Sequence, residues 1–178
     1  MSKLTLVVGM AASGKSHFAR ELAQTRGLIA YHDFTLIKMT DHRQRAGHEK
    51  FPEMVAKLVS GTDCIADEPH LVDPAFFSEF VAFTKEHLVP VGVEIEWIHF
   101  EKDVRACATN LVNDWEQRKK GNKARCTALL NQIAVYKPPT GTDLRACYVP
   151  SSGRRYKNEE EAKAALIELR DKFPKDDD

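Results

Sequence analysis

The clearest chemistry in the chain lies in eight residues near its start, Gly9-Met10-Ala11-Ala12-Ser13-Gly14-Lys15-Ser16. They fit G-x-x-x-x-G-K-[ST], the spelling of a phosphate-binding loop. Glycines at both ends let the backbone turn its N–H groups inward around a phosphate. Gly9, Ala11, Ala12, Ser13, Gly14, Lys15 and Ser16 are therefore the candidate nucleotide contacts. A lysine at that place reaches the β- and γ-phosphates, and the next hydroxyl is left for Mg²⁺. Two carboxylates sit at the ends of apolar runs where the same chemistry would need them. Asp33 follows the run 27–31, and Asp67 falls near the end of Cys64-Ile65-Ala66-Asp67-Glu68. Asp33 is either a turn or N-cap aspartate or a functional carboxylate beside the loop. Asp67 reads as the carboxylate that holds Mg²⁺ through water, as a Walker B strand does. Residues 118–125 bring five positive charges in eight residues with no acid. Such a segment is either the solvated end of a helix or a cationic lid over phosphates; within it Arg118 and Arg125 are preferred, because guanidinium binds phosphate bidentately.

These residues need a scaffold, and the periodicity supplies one. Leu4-Thr5-Leu6-Val7-Val8 predicts a buried strand, and His17 to Gln24 a helix with Phe18, Ala19, Leu22 and Ala23 on one face. Strand, glycine loop and helix is the order that puts a helix N-terminus behind a bound phosphate. Further strands are predicted over 27–31, 64–68, 93–100 and 143–149. Between them lie helices over 41–60 (interrupted at Pro52), 74–88, 103–117, a helix after the basic segment stopped by Pro138-Pro139, and a last one capped by Asn158 and Glu161. The aromatics Phe77 and Phe80 are read as core rather than as a stacking platform. The expectation is an α/β fold, a doubly wound, mostly parallel sheet of about five strands. All 178 residues form one domain, with a helical basic lid near 115–127.

Composition narrows the field. Lys+Arg and Asp+Glu both number 26, so the whole chain is no polyanion binder, and any nucleic-acid affinity must come from local patches. The basic segment is one such patch, and Arg154, Arg155 and Lys157 suggest a second. No apolar run reaches the roughly 20 residues of a membrane helix, and the start of the chain lacks a signal-peptide pattern, so a cytoplasmic location is expected. Cys64, Cys107, Cys126 and Cys147 make no C-x-x-C pair and read as reduced thiols, with a zinc site from distant ligands as the lesser alternative. A GTPase is excluded by its base-reading element: Asn122-Lys123 is followed by Ala124-Arg125, not by x-Asp.

Over residues 4 to 136 the chain resembles a known family, the polynucleotide 5′-hydroxyl kinases of phages and their zeta-toxin-like relatives. The segment Leu6 to Glu21 is similar to the phosphate-loop segment of the phage enzyme. Asp33 stands where the family keeps its general base, Ala66-Asp67 matches its third-strand aspartate, and Asn110 to Arg125 falls where its arginine lid lies. The resemblance implies ATP and Mg²⁺ held by Lys15 and Ser16, Asp33 taking the proton of an acceptor hydroxyl, and Arg118 or Arg125 clamping the γ-phosphoryl group. It implies host cytoplasm as the location if the protein is phage-encoded. One departure stands out: the family often has Arg-Asp-Asp-Tyr after the second strand, and this chain has His32-Asp33-Phe34-Thr35.

The expected activity is ATP-dependent transfer of a phosphoryl group to a polynucleotide 5′-hydroxyl. The rival acceptors are a nucleoside monophosphate or a hydroxymethylated base in DNA. A rival of another class is an ATP-gated binding module with slow hydrolysis. Oligomeric state is not legible.

Overall fold

The structure is a computed structural model that describes residues 1–32, 50–118 and 123–173, apart from the side chain of Arg118. Asp33, residues 41–49 of the helix expected over 41–60, and residues 119–122 of the expected lid lie outside the described residues.

The sheet is built from β1 (Ser2–Val8), β2 (Ile29–His32), β3 (Cys64–Asp67) and β4 (Val93–His99). All pairings are parallel, in the order β2-β3-β1-β4. β1 is central and almost wholly buried, as a parallel strand covered on both faces must be. Its Leu4, Leu6, Val7 and Val8 lose essentially all contact with solvent, each worth about 1.5–3 kcal/mol of transfer free energy.

α1 (Lys15–Arg26) carries the chain from β1 across β3 to β2, and α3 (Pro74–Phe83) carries it from β3 across β1 to β4. The two crossovers run in opposite directions along the sheet, so a right-handed connection places the helices on opposite faces. α2 (Lys50–Val59) precedes β3. α4 (Val104–Arg118) and α5 (Lys123–Val135) pack against the last helix, α6 (Glu159–Asp171). Asn158 caps α6 by accepting from Glu161 N–H at 2.8 Å, and three glutamates in its first turn complement the helix dipole. Trp115 of α4 meets Phe173 edge-on at 4.7 Å.

One expectation is refined and one needs correction. The helix over 74–88 runs its expected length, but at Thr84, which is buried with its Oγ1 donating to Val81 O at 2.9 Å, it widens into a π-helical turn, Thr84–Leu88. Side-chain competition for helix carbonyls of this kind loosens the ladder. The segment 143–149 is not a fifth strand. It makes one parallel bridge, Phe100 with Arg145, through Glu101 N to Arg145 O and Arg145 N to His99 O, both 2.8 Å. Beyond it the backbone donors go elsewhere, Cys147 N to Glu101 Oε1 at 3.1 Å and Tyr148 N to Ser13 O at 2.9 Å. The ladder cannot continue, and the segment is drawn over the glycine loop instead.

The reading of Phe77 and Phe80 as core holds for Phe80, which is 1% exposed and meets Trp97 edge-on. Phe77 is half-buried and lines a cavity. All four cysteines are free and buried. Among the described residues no helix is long and apolar enough to cross a membrane, and no group of three or more His, Cys, Asp or Glu is placed to hold a metal.

The burial pattern makes a contrast that denaturation can read. Phe80→Ala should cost about 3–5 kcal/mol, the penalty for emptying a large core site. Val59→Ala, at a position 60% exposed on α2, should stay within about 0.5 kcal/mol. Urea or thermal unfolding of both variants checks this; equal losses would mean that the aromatic layer between α3 and β4 is not core.

Candidate functional site

The site forms at the carboxyl edge of the sheet, where ligands collect in open α/β folds. β1 runs directly into the glycine loop. Gly14 has φ +96°, a left-handed value, and a Cβ there would lie 2.8 Å from Tyr148 Cβ. At Gly9 an added Cβ would stand 2.9 Å from Phe100 Cβ, so both glycines are fixed by close approach. Ala12 takes φ +61°, unusual for a side chain with a Cβ. It is held by Asn110, whose Nδ2 donates to Ala12 O at 2.9 Å and to Tyr148 O at 2.8 Å. Ala11 N–H donates to Gln132 Oε1 at 2.6 Å, and Gln132 Nε2 donates in turn to Pro69 O at 3.1 Å. Ser13 is fully buried, and its N–H closes on Met10 O at 3.2 Å.

α1 starts without help. Gly14 is its N-cap and offers no side-chain acceptor, and the first turn contains no acid. By contrast, Asp73 caps α3 through Ala75 and Phe76 N–H. An N-terminus left uncapped and free of acids keeps its N–H groups and positive dipole for an anion from outside. Lys15, the first residue of this helix, is only 7% exposed, and among the described residues no carboxylate pairs with it. A buried ammonium without a counter-charge is a demand for one.

Ser16 and Asp67, which the sequence offered for a metal, lie in contact. Ser16 Oγ donates to Asp67 Oδ2 at 2.5 Å, and Asp67 is fully buried at the end of β3. The other carboxylate oxygen is taken by His32 Nδ1 at the end of β2. The parallel register explains this: His32 stands directly opposite Asp67, and Asp67 opposite Val7. Sequence reasoning named Asp33 and passed over His32 beside it. The signal was the residue before the acid, which a two-residue reading of that strand end would have caught. A hydroxyl and a buried carboxylate in contact, one residue from the lysine, are a donor set that suits a hard divalent cation.

Around this point opens a cleft of about 530 Å³, lined among others by Lys15, Ser16, Asn110, Asp114, Arg125 and Tyr148. That lies within the roughly 300–1,000 Å³ of small-molecule and cofactor sites. Arg125, on α5, is thus in the cleft wall, where its Nη1 pairs with Asp114 Oδ2 at 2.6 Å. The side chain of Arg118 is not described. The second basic patch is not a free one. Arg154 pairs with Asp103 and Arg155 with Glu116, each through two nitrogens. Both arginines tie the 150–157 loop to α4 and its entry, so the sequence's suggestion of a second cationic surface is corrected. Gln132 and Tyr148 are further site residues that no spacing in the sequence announced.

No protein-family model and no curated protein matches the chain. Solved structures do. A gluconokinase from Sinorhizobium meliloti 1021 aligns over 96% of this chain and 94% of its own, with a TM-score of 0.50 at 14% identity. A protein named only provisionally as a kinase, from Chloroflexus aurantiacus, aligns over 97% of this chain and 99% of its own, again with a TM-score of 0.50 at 14% identity. Identity that low speaks for the fold alone, an α/β arrangement around a parallel sheet that this chain shares with both proteins.

Proposed function

We propose that this protein is an ATP- and Mg²⁺-dependent kinase that transfers the γ-phosphoryl group to a hydroxyl, the acceptor being a polynucleotide 5′ end. One observation carries the reading: a buried Lys15 with no carboxylate partner among the described residues, at an uncapped helix N-terminus and one residue from a Ser16 hydroxyl bonded to the buried Asp67. Lys15 and Ser16 line one cleft, and the buried Asp67 lies behind the Ser16 hydroxyl.

Phosphoryl transfer depends on positioning and on neutralising charge at the transferred group. The backbone N–H groups at the uncapped start of α1, Gly14 to Ser16, would cradle the β-phosphate, and Lys15 would meet the β- and γ-oxygens. Ser16 directly, and Asp67 through water, would hold Mg²⁺, which supplies charge neutralisation to the phosphate oxygens. Asp33 is assigned the acceptor's proton: the acceptor oxygen bonds to the γ-phosphorus as the bridging oxygen leaves with ADP. The segment 115–127 serves as the lid, with Arg118 and Arg125 as its phosphate clamps.

A second acceptor has an observation in its favour. With Arg154 and Arg155 committed to Asp103 and Glu116, the second basic patch offers less free cationic surface to a long strand. That suits a compact nucleoside monophosphate. The resemblance in the glycine loop and the place of Asp33 after the second strand support the polynucleotide, the departure over His32 to Thr35 weighs against it, and salt decides between them, because phosphate contacts along a strand make binding fall steeply with ionic strength.

Three measurements test the reading. Lys15→Ala should lower transfer from radiolabelled ATP by at least about 10²-fold while the circular dichroism spectrum stays native. A folded variant with full activity would remove the kinase altogether. A chelator should abolish transfer, and Mg²⁺ or Mn²⁺ should restore it; restoration by zinc alone would point to the cysteines and histidines instead. Asp33→Asn should cost about 10²–10⁴-fold in transfer with ATP affinity little changed, offered with a panel of oligonucleotides, nucleosides and nucleotides. Full transfer in that variant would make Asp33 a turn residue, and acceptor binding indifferent to salt would exclude the polynucleotide.

A further inference from the structure

The carboxyl edge of the sheet holds a second cavity, of about 230 Å³, on the α3 side of β1. Its lining draws on Val8 ending β1, Leu71 and Val72 after β3, Phe77 of α3, His99 ending β4, and Tyr136 beyond α5. Val8 immediately precedes Gly9, so the cavity adjoins the glycine loop. The register puts His99 directly across from Val8.

Most of the lining is aromatic or aliphatic. The Phe77 and His99 rings lie 5.9 Å apart. Tyr136 is 2% exposed and its hydroxyl is committed to Phe100 O at 2.5 Å, so it offers a ring and no free donor. His99 Nδ1 is the exception: it is shielded from solvent and has no hydrogen-bond partner among the described residues. A shielded ring nitrogen left unpaired calls for a partner. Burial holds the His99 pKa below its ordinary value, so the ring is neutral at pH 7 and presents one donor and one acceptor. The lining carries one charged residue, Lys137, which is itself exposed. The interior therefore suits a neutral ring with a hydrogen-bonding edge. Its volume is below that of pockets for whole ligands, and fits one ring system rather than a nucleotide with its phosphates.

We propose that this cavity receives the nucleobase of the phosphate acceptor, with His99 as its hydrogen-bonding residue and Phe77 and Tyr136 as its aromatic walls. The assignment rests on the reading of the acceptor as a nucleotide or a polynucleotide end. Base against aromatic ring is sequence-tolerant contact, because every base has a π-face, and His99 adds the one polar choice. The base then anchors the acceptor beside the loop while its hydroxyl reaches the γ-phosphate.

The test uses the full chain and needs no ATP. Trp97 lies 4.9 Å from the Phe77 ring and 6.3 Å from His99, and reports on the cavity by fluorescence once Trp115→Phe has removed the other indole. Adenosine, guanosine, cytidine and thymidine are titrated, with deoxyribose as the base-free control. Nucleosides should shift the emission and deoxyribose should not. His99→Phe, which keeps a ring and removes its nitrogens, should weaken nucleoside binding about tenfold and leave ATP binding unchanged. Nucleoside binding that is absent, or equal in His99→Phe, overturns the assignment. Should that variant fold poorly, the native chain carries the test through KM for oligonucleotides with and without a base at the 5′ nucleotide; the abasic end should show a KM at least about tenfold higher, and equal values overturn the proposal. Nucleosides bound through His99 in a protein that phosphorylates no nucleoside-bearing acceptor would keep the base site and overturn the acceptor reading.

Discussion

Asp67 is fully buried, and a buried carboxylate is tolerable only when its oxygens are met. Ser16 Oγ meets one of them and His32 Nδ1 the other. These contacts join the start of α1, the end of β3 and the end of β2, so the glycine loop cannot shift relative to the neighbouring strands without stranding a charge. Removing one partner from a buried charge of this kind costs about 3–5 kcal/mol in comparable cases. The geometry of the cleft follows from that constraint. Lys15 stands one residue from Ser16, and it emerges where the β1–β3–β2 register has already placed the carboxylate.

The loop itself is assembled by residues far away in the chain. Gln132 bridges Ala11 N–H and Pro69 O, Asn110 bridges Ala12 O and Tyr148 O, and Tyr148 N–H closes on Ser13 O. Each of these ties satisfies backbone groups that the tight turn leaves open, and each comes from α4, α5 or the 145–150 segment. The failure of that segment to form a fifth strand is the same fact seen from the other side: its donors serve the loop. The N-terminus of α1 is left uncapped by side chains, which is where the positive end of the helix meets the cleft.

Charge is spent in a similar way. A chain of zero formal net charge has little long-range field, and the local patches decide what it attracts. Arg154 and Arg155 are consumed in anchoring the 150–157 loop to Asp103 and Glu116. Arg145 lies over the Phe18 ring at 3.8 Å, again a structural use of a cation. The cations among the described residues that line the cleft are Lys15, Arg20 and Arg125, the last positioned by Asp114.

The sequence by itself determined the elements and the loop. Gly9 to Ser16 could be read because a phosphate-binding turn demands glycine at fixed spacing, and that demand is local. β1 could be read from an unbroken apolar run, α6 from Asn158 and its acidic first turn, and the parallel α/β class from alternation of the two periods. Asp67 was legible because it ends a buried strand. Only the tertiary structure decided that His32 faces Asp67, since that depends on the register between β2 and β3, and no residue within β2 records it. The same holds for Gln132 beneath the loop, for Arg154 and Arg155 being paired rather than free, and for the cavity that gathers Phe77, His99 and Tyr136 from three separate elements. Helix and strand periodicities act over a few residues; these contacts span 22 to 121 positions, and which distant pair meets is settled by the packing of the whole sheet and its helices.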